Sequence, residues 1–182
     1  MIRFIDLGLA LLGFILLLPI FLFLYVLGLF DTGSPLFFQE RVGKNQKPFI
    51  LIKFRTMPLH TKSVATHLVG SGSVTKIGHI LRRTKLDELP QLINVIKGDM
   101  SLVGPRPCLY NQEDVIEERK KRCVFSVRPG ITGFAQIKSI DMSNPKLLAE
   151  LDSKMIDNMN VNKYFYYILK TIFGNGLGDR IN

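Results

Sequence analysis

Two adjacent carboxylates, Asp87 and Glu88, stand in the run Leu86-Asp87-Glu88-Leu89-Pro90-Gln91 of a 182-residue chain with a formal net charge of +9. Cations surround them in sequence: Arg82, Arg83 and Lys85 on one side, Lys97, Arg106 and Arg128 on the other. A carboxylate can accept a phosphoryl group to form an acyl phosphate, and a neighbouring carboxylate can hold a divalent cation. The same pair would also suit the first turn of a helix, where an acid is worth a few tenths to about 1 kcal/mol against the helix dipole. Residue type and spacing leave both readings open.

The elements that would position the pair can be traced outward from it. Helical periodicity runs from Thr75 to Ile96, with Ile77, Ile80 and Leu81 on one apolar stripe and Leu89, Leu92, Ile93 and Ile96 on another. Proline is accepted in a first helical turn and not later, so Pro90 implies a new helix starting between Thr84 and Leu89, with Asp87 and Glu88 near its N-terminus. Gly98 ends that helix, and the glycines and prolines of Gly98 to Pro107 fix a rigid turn around Arg106. An arginine held between two prolines loses little freedom on binding phosphate, and its planar fork suits a pair of phosphoryl oxygens. Arg128, in Ser126 to Gln136, has a similar setting.

Upstream, Pro35 to Met57 is strand-like: Leu36-Phe37-Phe38, a turn at Gly43-Lys44-Asn45, then Phe49-Ile50-Leu51-Ile52. Alternation on the second strand puts Lys53 and Arg55 on one face and Phe54 on the other, either a phosphate-binding face or a solvated edge. Pro58 to Ser73 is polar, glycine-flecked and without a sustained period, a loop that could be a lid or a tolerated insertion. Downstream, Asn111 to Arg122 has the mixed charges of a solvated helix, and Pro145 to Met155 predicts another helix with Leu147, Leu148 and Leu151 together. Tyr164 to Leu169, flanked by Lys163 and Lys170, fits either a membrane-interface helix or core packing.

Location is read from the N-terminus. No charged residue occurs from Leu7 to Phe30, long enough for a membrane segment and longer than the apolar core of most signal peptides. Pro19 lies near its middle and predicts a kink at Leu18-Pro19. Each arm of about twelve residues would reach roughly 18 Å, short of a hydrocarbon core of about 30 Å. Arg3 before the segment and Arg41, Lys44 and Lys47 after it favour placing both ends on the cytoplasmic side, a re-entrant anchor rather than a kinked single span. A pI near 9.7 implies an anionic partner: phosphorylated small molecules, lipid headgroups or nucleic acid. Cys108 and Cys123 are too few for a disulfide framework and lack metal-site spacing, so both are expected as free thiols. His60, His67 and His79 form no zinc motif.

Four segments in order then resemble the bacterial sugar transferase family, the monotopic phosphoglycosyl transferases: KFRTM at Lys53 to Met57, LDELPQL at Leu86 to Leu92, KGDMSLVGPRP at Lys97 to Pro107 and RPGITGFAQ at Arg128 to Gln136. The resemblance implies transfer of a sugar 1-phosphate from a UDP-sugar to polyprenol phosphate with release of UMP, a magnesium ion, and residence at the bacterial inner membrane facing the cytoplasm. It also implies Asp87 as the nucleophile and Glu88 as its partner at the metal, with Asp87 also near the ion. Arg106 and Arg128 would bind phosphates, with Lys53, Arg55 and Arg82 as further candidates. Many relatives carry Ser where Leu18 stands, a Gly-Arg pair where Lys138-Ser139 follows Gln136, and Tyr and Asp at the places of Met155 and Tyr164. The expected architecture is α/β or α+β, mostly helical with a small sheet. Residues 1–31 would form a kinked re-entrant anchor and 32–182 a cytoplasmic catalytic domain. Bacterial membrane lipids are expected partners and nucleic acid is not; a tethered, non-catalytic module binding anionic lipid or nucleic acid is the competing reading.

Overall fold

A computed structural model describes residues 2–59, 61 and 73–173; most of the loop expected over Pro58 to Ser73, with His60 and His67, lies outside the described residues. Helix α1 (Ile2–Thr32) leads into an antiparallel hairpin of β1 (Leu36–Val42) and β2 (Pro48–Phe54), with Phe37 opposite Lys53 and Phe38 opposite Ile52. Helix α2 (Lys76–Thr84), a one-turn 3-10 segment Leu86–Glu88 and helix α3 (Gln91–Lys97) follow. A short parallel pair joins β3 (Ser101–Val103) to β4 (Gly130–Thr132), with helix α4 (Glu113–Lys121) between them. Helices α5 (Phe134–Ile137), α6 (Pro145–Asp157) and α7 (Val161–Ile172) complete a mostly helical protein with a small sheet.

Local chemistry explains the boundaries. Thr75 caps α2 by accepting the Gly78 N–H, and Lys85 ends it in the left-handed region. Gly98, at φ 97°, closes α3 as the sequence predicts. The hairpin is tied to α3 by a buried Asn94, which donates to the Ile50 carbonyl (2.7 Å) and accepts from the Ile52 N–H (3.0 Å). β3 and β4 are held by unusually close backbone approach: a Cβ on Gly130 would lie 2.0 Å from the Gly104 nitrogen. This closeness brings Gly104-Pro105 onto Arg128-Pro129-Gly130, with the Gly130 N–H donating to the Pro105 carbonyl at 2.9 Å. The two proline-framed arginine segments are thereby neighbours in space.

Helix α1 is a 31-residue helix with Pro19 inside it, about 46 Å long if straight. Among the described residues it alone is long and apolar enough to cross a membrane. Its first turns dock through charge. Arg3 donates to the Val95 and Ile96 carbonyls at the end of α3. Asp6, 2% exposed, accepts from Ser101 Oγ (2.9 Å), the Leu102 N–H (2.9 Å) and the Tyr164 hydroxyl (2.7 Å). Its far half docks through apolar contact, Phe21 and Leu24 packing with Phe54 and Leu81, and Asp31 accepts from Thr75 Oγ1. Between these points Leu92 of α3 packs near Gly13. Both ends of α1 are therefore fixed to one globular body.

The outward side of α1 is apolar and bare: Phe4, Leu11, Leu12, Ile15, Leu16, Leu18, Ile20, Phe23 and Phe30 are all exposed. A continuous apolar surface of this kind suits hydrocarbon, not water. Helix α7 resolves the alternative left open for it by dividing its residues, with Tyr164 and Tyr167 in the core and Phe165, Tyr166, Leu169 and Ile172 exposed. Because α1 is clamped at both ends, a cysteine appended ahead of Met1, outside the apolar side, and the native exposed Cys123 should react with an impermeant thiol reagent from the same face of sealed vesicles. Labelling from opposite faces would contradict that geometry.

Candidate functional site

Asp87 and Glu88 occupy the 3-10 turn between α2 and α3, 1% and 7% exposed respectively. The turn is set by Lys85 in the left-handed conformation before it and by Pro90 after it, which stands immediately before α3. Leu86 and Leu89 anchor it in the cluster of Phe54 and Leu81. The pair thus sits just ahead of α3, as the sequence predicts, in a turn of its own rather than in the first turn of the helix.

Arg106 reaches this turn across the fold, its Nη2 donating to Glu88 Oε1 at 2.9 Å. Arg106 keeps about a quarter of its side-chain surface exposed while Glu88 is nearly covered. A charge-assisted bond in that setting is worth about 1.5–3 kcal/mol and orients both partners. Arg82 is buried beside the turn on α2, its Nε donating to Thr56 Oγ1 at 2.9 Å. That docking depends on Gly78, where a Cβ would lie 2.3 Å from the Thr56 carbonyl oxygen.

The remaining candidate cations are distributed as follows. Lys53 is buried on β2, and Lys53 and Arg55 both lie over the Phe37 ring at 5.7 and 5.4 Å, on one face as the alternation predicts. Arg55 also donates to the Ser34 and Leu36 carbonyls, so it holds the entrance to β1, and no described contact joins it to the carboxylates. Arg128 donates through Nε to the Gly98 carbonyl at 2.7 Å, fixing its own loop to the end of α3. Leu18 and Pro19 are exposed on α1.

Three polar residues of this region escaped the sequence reading. Arg119, expected on a solvated helix, is 1% exposed and donates through Nε and Nη2 to Asp152 Oδ2 (3.0 and 2.7 Å). Its Nη1 donates to the Arg106 main-chain carbonyl at 2.7 Å. Arg41 donates to the next carbonyl, that of Pro107, at 3.1 Å. The signal for Arg119 was its place four residues after Val115, a cation in line with an apolar stripe. Desolvation works against the Arg119 charge, but Asp152 and Cys108 outweigh it and the guanidinium holds its proton more firmly than usual. Burial pushes the Asp152 carboxyl up, against the opposing pull of Arg119. Removing one partner of such a pair costs about 3–5 kcal/mol. On α7, Tyr164 donates to Asp6; burial, then its bond to that carboxylate, pushes its hydroxyl pKa up.

Among the described residues no group of three or more His, Cys, Asp or Glu side chains could enclose a metal. Two adjacent carboxylates nevertheless match the needs of Mg2+, which commonly takes one or two and completes its shell with water and substrate phosphate oxygens. Asp87 and Glu88 are two adjacent carboxylates of that kind.

With this geometry in place, the comparison with known proteins is decisive: the model of the family described as bacterial sugar transferase matches residues 1–175. The chain belongs to that family. EpsL of Bacillus subtilis, an uncharacterized sugar transferase, is 45% identical over 69% of this chain and 62% of its own. The UDP-N-acetylgalactosamine-undecaprenyl-phosphate N-acetylgalactosaminephosphotransferase of Aeromonas hydrophila is 34% identical over 93% of this chain and 43% of its own. The UDP-glucose:undecaprenyl-phosphate glucose-1-phosphate transferase of Caulobacter vibrioides is 38% identical over 67% and 50%. The chain spans less than two thirds of the length of these three sugar transferase relatives.

The two thiols differ in environment. Cys108 is fully buried beside Arg119, and its pKa is pushed up by burial, whereas Cys123 is exposed. The folded protein should therefore react with one equivalent of a thiol reagent at neutral pH, at Cys123, and with a second only on unfolding. Two equivalents reacting at once would contradict the burial of Cys108.

Proposed function

We propose that this chain is a phosphoglycosyl transferase that moves a sugar 1-phosphate from a UDP-sugar to undecaprenyl phosphate at the cytoplasmic face of the bacterial inner membrane. The observation that carries the reading is the buried Asp87-Glu88 turn met by Arg106 from a proline-framed loop, in a chain belonging to the sugar transferase family. The printed activities of the Aeromonas and Caulobacter relatives support the donor and acceptor classes.

In the first half-reaction an Asp87 carboxylate oxygen attacks the phosphorus that carries the sugar. The bond from that phosphorus to the bridging oxygen breaks, and UMP leaves with the electron pair. In the second, a phosphate oxygen of the lipid attacks the same phosphorus and displaces the Asp87 carboxylate. Sugar and phosphate then end on the lipid diphosphate, and Asp87 is restored. Splitting transfer this way lets a soluble donor and a lipid acceptor use one small site in turn.

Asp87 attacks in this scheme, and Glu88, oriented by Arg106, would hold the metal ion beside the transferred group. Arg106, with Arg128, Arg82 and Lys53 as further cations of the region, would offset charge on the phosphoryl oxygens. Mg2+ held by Glu88 and Asp87 would supply neutralisation of the diphosphate charge. Helix α1, clamped to the body at both ends with a bare apolar side, fits a one-leaflet anchor that brings the site to the lipid phosphate.

A panel of UDP-sugars with magnesium and undecaprenyl phosphate tests this by UMP release and by sugar appearing in the lipid. Asp87→Asn should lower turnover by about 10³-fold or more and Glu88→Gln by about 10²-fold, with the fold retained. Absence of turnover across the panel would favour the tethered binding module instead.

A further inference from the structure

The Arg106 turn is held from behind in a way that its own sequence does not provide. Pro105 and Pro107 have no N–H to donate, and the stretch Pro105 to Leu109 belongs to no strand or helix. Two buried guanidinium groups take consecutive main-chain carbonyls of this turn: Arg119 Nη1 that of Arg106, at 2.7 Å, and Arg41 Nη1 that of Pro107, at 3.1 Å. The Val42 N–H takes the next carbonyl, that of Cys108, at 3.0 Å. Arg119 is in turn fixed by Asp152, itself 1% exposed on α6. A continuous chain of contacts therefore runs from Asp152 through Arg119 and the Arg106 backbone to the Arg106 guanidinium and Glu88.

We infer that Arg119, locked by Asp152 and assisted by Arg41, is a positioning residue for phosphoryl transfer, acting through Arg106 by clamping the carbonyls of its turn. The inference rests on the proposed activity and adds to it residues that touch neither donor nor acceptor. Three features distinguish a clamp from ordinary core packing. The guanidinium divides its donors between a carboxylate and the backbone of a functional loop. A second arginine on a different element grips the adjacent residue of the same loop. Finally, the prolines leave that loop with few alternatives of its own.

Lysine at 119 retains the charge for Asp152 but cannot present three donors in a planar fork, so it should leave the pair partly satisfied while releasing the turn. Arg119→Lys should lower kcat/KM for the UDP-sugar about tenfold in the otherwise native enzyme, the scale of a small misplacement of a substrate-positioning group. In an Arg106→Ala background the same substitution should lower it less than about twofold, because the group it positions is gone. Equal effects in the two backgrounds would overturn the inference, whatever the accompanying change in thermal stability.

Hydrogen exchange supplies a readout independent of turnover. In Arg119→Lys, and separately in the near-isosteric Asp152→Asn, exchange should rise in peptides covering Gly104 to Tyr110, with the β1-β2 hairpin unchanged. Unaltered protection of that segment in both variants would also overturn the inference. A wild-type enzyme inactive with every donor would count against the proposed function, while the exchange result would still decide the clamp.

Discussion

The bond from Arg106 Nη2 to Glu88 Oε1 is the contact on which the site depends, because its two partners arrive from segments with no sequence proximity and little secondary structure of their own. Each is held by something larger. The Asp87-Glu88 turn hangs between α2 and α3, pinned by Leu86 and Leu89 in the core. The Arg106 turn is set by the close approach of Gly104 and Gly130 and by arginine donors to its carbonyls. Buried or half-buried ionic groups are stable only when geometry and hydrogen bonds are well satisfied, so the supporting contacts are what make the pairing possible. The invested structure is large for a single ion pair, as expected where a charge must be aimed as well as neutralised.

The same body fixes the apolar helix. Charged and polar contacts at Arg3, Asp6 and Asp31 secure its ends, while apolar packing secures only one side between them. Docking is thereby specific, and the exposed side is left for hydrocarbon. Tyr164 joins α7 to this junction through Asp6, so the helix with exposed aromatic side chains and the apolar helix are fastened to one point. Anchor and site share elements throughout: Val95 and Ile96 of α3 receive Arg3, and α3 directly follows the carboxylate turn. In the proposed reaction this coupling would keep the distance between lipid phosphate and Asp87 constrained.

Much of this was legible because it is local. The hairpin follows from alternation around Gly43-Lys44-Asn45, the end of α3 from Gly98, and the position of the carboxylate pair near the start of α3 from Pro90. Ordered motifs led to the family. What stayed hidden was long-range. Three-residue strands are too short to show a period, so the β3-β4 pairing had no signal beyond glycines whose partners lie 26 residues apart at Gly104 and Gly130. Arg119 finds Asp152 33 residues away, and Asp6 finds Tyr164 158 residues away. A charged residue's burial depends on a partner that local pattern does not reveal, which is why a helix of mixed charge looked solvated.

The central claim is that Asp87 becomes covalently attached to the phosphosugar before the lipid takes part. The most direct measurement is intact-protein mass after mixing enzyme with UDP-sugar and magnesium, acceptor withheld, followed by peptide mapping of the adduct. The account predicts a mass increase of one sugar phosphate on the peptide containing Asp87, discharged on adding undecaprenyl phosphate and absent in Asp87→Asn. An adduct that persists in Asp87→Asn, or UMP released only when both substrates are present and with no adduct formed, would contradict it.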